Sequence, residues 1–387
     1  MKKIAVICSE KARPFDLNEG AVTHVTTTIN SYLSENFEVR TYYGGEASTN
    51  EASYIHIPIC AQDRKKNWYN TLREPAYSYL RKIADEINIW QPDIIYIHNR
   101  PHYILWLKPL INYQAYWVLH EHNTQLSDSI PWLKAYRILK SCNLLVGVSK
   151  YVVNEIVSKR FKMLADKGLV ARNGVDTSAF CPVSSVQEKQ KLREQYKLPA
   201  DKTIILYTGA IRPRKGVLHV VKAFLEVFTE RQDICLVLAG GKVVSSQRDE
   251  WYYQKVMNLV KSNPTSICFL DYLKIDQMPG LYKTSDIYCA MPEWEEPLGL
   301  VFLEAQASGL PVITTRSGGI PEIVIDNETG FILDKPVDKA KTVKCLKQLI
   351  EDKNIRLEMG KKAKVFCEEI SQWDNTLDAL IKRLNGE

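Results

Sequence analysis

Short apolar runs recur along the chain, separated by longer amphipathic stretches, and this alternation constrains the fold more than any single motif. In the first half the runs are 4–8 (IAVIC), 37–43 (FEVRTYY), 93–98 (DIIYIH), 116–122 (YWVLHEH) and 144–149 (LLVGVS), with helices predicted over about 22–35, 74–90 and 150–161. Apolar runs this short read as strands, and helices between them make neighbouring strands parallel. A polar stretch over 181–200, edged by Pro182 and Pro199, reads as a domain junction carrying a short helix. A second series follows: strands over 203–209, 234–241, 266–271, 286–291 and 310–314, with helices over about 216–230, 249–262, 299–308 and 337–351. One or two further helices close the chain over 355–384. At 387 residues the chain is long for one hydrophobic core,. The fold class is therefore α/β, as two Rossmann-like halves meeting at a cleft.

Composition removes several classes. The opening MKKIAVICSE has only a five-residue apolar run, too short for a secretion signal or a membrane span, so a cytoplasmic protein is expected,. Nine scattered cysteines include no CxxC pair, which argues for reduced thiols rather than a structural zinc site,. The net charge of +6 is concentrated in the first half, where 22 Lys and Arg face 17 Asp and Glu up to Phe180. Two mixed basic and apolar runs, Pro131 to Lys140 and Ser158 to Lys167, suit either an anionic membrane surface or the water-facing side of half-buried helices,. No dense Lys/Arg stripe supports a nucleic-acid partner,.

In open α/β sheets ligands sit beyond the carboxyl ends of the strands, and the informative residues fall there. Gly20 stands between the loop after the first strand and a helix, as a ligand-approach loop or a simple turn,. His120 and His122 end a strand at i and i+2, sharing a face that Glu121 does not,. They are readable as active-site polar groups, as structural histidines or as a metal pair lacking a third ligand. His98, with Asn99 and Arg100, is a similar strand end. Between a strand and a helix, Gly209 to Gly216 carries Arg212, Arg214 and Lys215, an unfavourable place for cations unless an anion such as a diphosphate sits there,. Flexible exposed arginines are the alternative. Gly240 and Gly241 end the next strand. In EEPLGLVFLEAQASGLPVI (295–313), Glu296 precedes a helix start and Glu304 lies within the helix. The amides of Leu298, Gly299 and Leu300 between them suit phosphate, and the carboxylates suit sugar hydroxyls. Glu295 reads as merely solvated. Gly318 and Gly319 open another loop, and Asn173-Gly174 reads as a turn needing positive φ,.

Taken in order, Asn173 to Asp176 with Phe180, Glu296 with Glu304, Gly309 to Val312 and Gly318 to Glu322 resemble the retaining glycosyltransferase family often called family 4, of GT-B fold. The resemblance covers nearly the whole chain, more weakly in the first half. It implies an N-terminal acceptor-binding domain over 1–180 and a nucleotide-sugar-binding domain over 181–366. A final helix over 367–387, including Trp373, would return to the first domain. It also implies that Lys215 and a nearby arginine hold the donor diphosphate, that Glu304 accepts from the ribose and that Glu296 engages the donor sugar with the Leu298 to Leu300 amides. His122, or His120 two residues earlier, would serve beside the acceptor, and Gly20 would lie on the phosphate side. Relatives often have arginine after the strand-end glycine; here that position is Ala210, so Arg212 or Arg214 substitutes, with Arg212 favoured. The expected partners are a nucleotide diphosphate sugar, a UDP sugar above all, and a glycan or lipid-linked glycan acceptor in surface or spore-envelope synthesis. No metal cofactor is expected, since the chain contains no Asp-x-Asp element. A noncatalytic sugar-nucleotide-binding or coat-associated protein, a nicotinamide-dependent oxidoreductase and an epimerase of the same fold are the alternatives.

Overall fold

The computed structural model describes residues 1–9, 11, 12, 21–45, 52–58 and 75–387. Gly20 lies outside the described residues. The chain forms two compact units: Met1–Arg172 together with Thr376–Glu387, and Asn173–Asn375.

In the first unit β1 (Lys3–Ile7), β2 (Glu38–Tyr43), β3 (Tyr54–His56), β4 (Ile94–His98), β5 (Tyr116–Glu121), β6 (Leu144–Gly147) and β7 (Gly168–Val170) form a parallel sheet. Its order is β3-β2-β1-β4-β5-β6-β7. In the second unit β8 (Thr203–Thr208), β9 (Ile234–Ala239), β10 (Ile267–Phe269), β11 (Ile287–Cys289), β12 (Val312–Thr315) and β13 (Gly330–Leu333) are also parallel, in the order β10-β9-β8-β11-β12-β13. Central strands such as β1, β4 and β9 are apolar on both faces because helices cover both faces, which explains their unbroken Val and Ile runs,. Both units are Rossmann-like, and the final helix Trp373–Asn385 runs from the second into the first, the α/β organisation expected of a GT-B chain.

Several elements differ from the sequence reading. The edge strands β3 and β13, three and four residues long, carry too few residues for a visible period. The expected helix over 150–161 is a single α-turn, Lys150–Val153, continued by a π-helical stretch, Asn154–Arg160. Neither Asn173 nor Gly174 has positive φ. Glycine is required at 174 for space: a Cβ there would lie 2.6 Å from the Trp373 ring, and the next amide, Val175 N, donates to Ser371 O. This close packing puts residues 173–180 in the second unit, so the compact units divide after Arg172, where the sequence placed a boundary at 180.

The junction helix Val186–Gln195 is held by a buried arginine. Arg193 donates to the Thr284, Ala200 and Lys202 carbonyls and pairs with Asp286 at 2.9 Å, while Asp286 also accepts from the first interior amide of β8, Ile204 N. Removing one partner from such a buried network leaves several acceptors unmatched. Arg193→Met should therefore destabilise the chain by about 3 kcal/mol, read as a lowered denaturant midpoint; an unchanged midpoint would refute the clamp.

Candidate functional site

In the second sheet the strand order reverses between β8 and β11, so the loops that follow them diverge and leave a crevice at their carboxyl ends,. The loop after β8 runs from Gly209 through a short 3-10 turn, Pro213–Lys215, to Gly216, which precedes the helix Val217–Phe228. Gly216 has φ +67°, and a Cβ there would fall 1.6 Å from Met291 O, so only glycine lets this loop rest on the one after β11,. Gly240 backs the same loop, since a Cβ on it would lie 1.8 Å from Gly209 O, and Gly241 O accepts from Ile211 N.

The structure brings Lys215 and Glu296 together. Lys215 Nζ donates to Glu296 Oε2 at 2.7 Å, and Trp294 Nε1 donates to the same oxygen at 2.8 Å. Lys215 and Arg214 lie over the Trp294 ring, 5.3 and 4.6 Å from its centroid. Trp294 gave no sequence signal of its own. Arg212 turns elsewhere, donating to Ser245 Oγ at 2.8 Å and Asp249 Oδ2 at 3.3 Å, with its Nε left without a partner. Asp249 is held down to about 2 by the Ser245 hydroxyl and amide, then by Arg212,. Arg212, Arg214, Ser245, Asp249 and Trp294 line a hollow of about 500 Å³.

Glu296 is fixed through its backbone. Its carbonyl accepts from Gly319 N at 2.8 Å, and a Cβ on Gly318, at φ +53°, would lie 2.1 Å from that oxygen. Glu295, expected to be only solvated, clasps the same loop: its carboxylate accepts from Gly318 N at 2.6 Å and from Lys335 Nζ. The helix Leu300–Ala307 starts after Gly299, so the Leu300 amide lies in its orphan first turn, with Leu298 just before it,. Glu304, farther along, does not pair with Glu296. It accepts from Tyr282 Oη at 2.7 Å, and burial lifts its carboxyl to about 7 despite that hydrogen bond,.

In the first unit β4 and β5 run in register with His98 opposite His120, which stacks three imidazoles at the strand ends. His120 and His122 lie on one face with ring centroids 4.5 Å apart, and His98 Nδ1 meets His122 Nε2 at 3.0 Å. His120 Nδ1 meets Tyr96 Oη at 2.9 Å. Burial holds all three rings neutral, with His122 lowered to about 4,. His98 is thus the third member that spacing along β5 alone could not supply. The ligand atoms of the three lie within 4.8 Å of one another, so this group could hold a metal ion,. His98, Asn99 and Arg100 also line a cavity of about 300 Å³ beyond β1 and β4, with Ser9, Lys11 and Asn30. Glu121 points to the other side, fully buried, with neither carboxylate oxygen hydrogen-bonded. Burial raises it to about 8, against a smaller opposing pull from Arg100.

Two family models match the chain: Glycosyltransferase Family 4 over residues 18–179 and Glycosyl transferases group 1 over residues 188–366. Over those stretches the chain is similar to both glycosyltransferase families. A putative glycosyltransferase of Bacillus subtilis, YtcC, is 26% identical over 99% of this chain and 91% of its own length. Spore coat protein SA of the same organism is 24% identical over 98% of both chains. The lipopolysaccharide 1,2-N-acetylglucosaminetransferase of Salmonella typhimurium is 28% identical over 78% of this chain and 74% of its own. The crystal structure of Anabaena HepE in complex with UDP and glucose matches with a TM-score of 0.78, covering 100% of each chain at 14% identity, a likeness of fold.

Glu121 sets a pH dependence of stability that needs no substrate to be measured. Its folded value lies above the ordinary carboxyl value of 4.5, so the native chain binds more protons than the unfolded one from there up to about 8. Stability contributed by this group therefore falls as pH rises through that window. Glu121→Gln should unfold at a higher temperature than the parent at pH 8.5, with the difference shrinking toward pH 5 in calorimetric scans. A difference that does not vary with pH would contradict the buried carboxyl.

Proposed function

We propose that the chain is a retaining glycosyltransferase moving a hexosyl or N-acetylhexosaminyl unit from a UDP sugar to an acceptor hydroxyl in surface or spore-envelope glycan synthesis. The observation that carries this reading is the Lys215–Glu296–Trp294 cluster at the β8/β11 switch point. Departure of a nucleotide diphosphate needs positive charge where negative charge develops, and a site that excludes water makes fixed cations effective. Lys215 supplies that charge, exchanging its Glu296 partner for diphosphate oxygens when the donor binds. Glu296 is then free to accept from sugar hydroxyls, beside the amides of Leu298, Gly299 and Leu300. Glu304 accepts from the ribose. Arg212, once released from Asp249, completes the phosphate clamp, with Gly241 behind the loop that carries it. The first unit offers the acceptor His122 or His120.

The comparisons support the substrate class through their relatives: HepE holds UDP and glucose, and the Salmonella enzyme is an N-acetylglucosaminetransferase. The name of spore coat protein SA supports an envelope acceptor. No helix of the described residues is long and apolar enough to cross a membrane. A peripheral contact with an anionic membrane, on the cytoplasmic side where nucleotide sugars are made, is supported by the helix Trp132–Ser141. Trp132 and Leu133 are exposed there beside exposed Lys134, Arg137 and Lys140,.

Calorimetric titration of the full chain with UDP-glucose and related nucleotide sugars tests the reading, followed by transfer assays with the best donor. Lys215→Ala should weaken donor binding roughly tenfold or more, the range for a charge-assisted contact to phosphate. Unaltered affinity would remove Lys215 from the clamp, and binding of no nucleotide sugar by the parent would overturn the function.

A further inference from the structure

Behind Glu304 lies a line of hydroxyls that no reading of the motifs predicts. Tyr282, on the helix Met278–Thr284, donates to Glu304 Oε2 at 2.7 Å. Its oxygen also lies 2.8 Å from Thr208 Oγ1, at the end of β8, and Thr208 Oγ1 lies 3.1 Å from Tyr288 Oη, in β11. All three side chains are buried, and the tyrosine rings stack with centroids 5.8 Å apart. Phe180, the last residue of the Asn173 to Phe180 motif, sets its ring edge-on to Tyr282 at 5.5 Å.

Each hydroxyl has one proton to give, which fixes the direction of the line. With Glu304 ionised, Tyr282 must donate to the carboxylate. Thr208 then donates to Tyr282, and Tyr288 to Thr208 Oγ1. With Glu304 protonated the order can invert: the carboxyl donates to Tyr282, Tyr282 to Thr208, and Thr208 to Tyr288. Tyr288 then turns to the Thr208 carbonyl, 3.3 Å away. No atom is left without a partner in either state.

We propose that Tyr282, Thr208 and Tyr288 form a reversible hydroxyl relay that positions the Glu304 carboxylate for the donor's ribose and couples donor binding to the protonation of that carboxylate. Tyr282 is its positioning residue, holding one oxygen so that the other stays available. The assignment of Glu304 to the ribose rests on the function proposed above; the relay itself does not. Among the described residues no cation pairs with Glu304. The ionisable groups facing it are Tyr282 from the helix Met278–Thr284 and Tyr288 from β11, both pushed up by burial and by the neighbouring carboxylate. The Tyr282 hydrogen bond opposes the burial that raises Glu304, so removing it must raise Glu304 further,.

Two readouts on the full chain separate the relay from the donor assignment. The first is an infrared titration of carboxyl-labelled glutamate, with Glu304→Gln subtracted to isolate the Glu304 band. The parent should titrate near 7, and Tyr282→Phe should move the midpoint upward by about one unit. Thr208→Val, which keeps the tyrosine and deletes the hydroxyl behind it, should move it the same way by less, and serves if the phenylalanine variant does not fold. The second is calorimetric binding of UDP-glucose between pH 6 and 9. Tyr282→Phe should bind roughly five- to tenfold more weakly at pH 7 and below, with the gap closing by pH 9, as a one-unit shift requires. An unmoved Glu304 midpoint in both variants overturns the relay. A binding deficit equal at every pH reduces Tyr282 to packing and overturns the coupling. Failure of the parent to bind UDP-glucose counts against the donor reading, while the infrared midpoints still decide the relay.

Discussion

The second unit depends on one contact between two loops: the Glu296 carbonyl accepts the Gly319 amide while Gly318 passes close enough to exclude any side chain. That contact ties the loop after β11 to the loop after β12, two adjacent strands whose ends would otherwise be free. The Glu296 carboxylate takes its position at the crevice from it. Glu296 presents its carboxylate to Lys215 and Trp294 because its backbone is held from behind, and Glu295 reinforces the same seam from the outer side. A side chain on a freely moving loop would lose entropy on binding a ligand; here the backbone is ordered before the ligand arrives.

Two cations of the crevice pair with its carboxylates. Lys215 with Glu296 and Arg212 with Asp249 are half-buried pairs that neutralise charge where an unpaired ion would be costly,. A bound diphosphate would therefore compete with internal partners as well as with water. Such pairing favours ligands that satisfy both members at once, offering an anion to the cation and hydroxyl donors to the carboxylate. A free phosphate meets only half of that requirement.

The long regular elements were legible in the sequence, because buried parallel strands and their covering helices impose strong apolar patterns; β1, β4, β5, β8 and β9 were anticipated within a residue or two at most ends. The edge strands β3 and β13 were not, since three or four residues carry no period. At the site, the strand-end motifs could be read in order, and Lys215 and Glu296 meet in the structure. What spacing along the chain could not show were partnerships between distant segments. Trp294 under Lys215, His98 beside His122 and Tyr282 against Glu304 each join residues on different segments of the chain. Asn173-Gly174 shows the converse case. The residue types were noticed, but the reason for glycine is the Trp373 ring nearly 200 positions later rather than the local backbone.

The final helix carries a consequence for how the chain is built. Lys2, at the start, donates to the carbonyls of Leu384 and Asn385 at the end, and Leu377, Leu380 and Leu384 are buried. The first unit is therefore discontinuous, and the second is an uninterrupted insert of about 200 residues within it. Closing so long a loop costs only slightly more than closing a short one, so the arrangement is thermodynamically tolerable. During synthesis, however, the insert emerges before Thr376–Glu387, the segment that completes the packing of the first unit,.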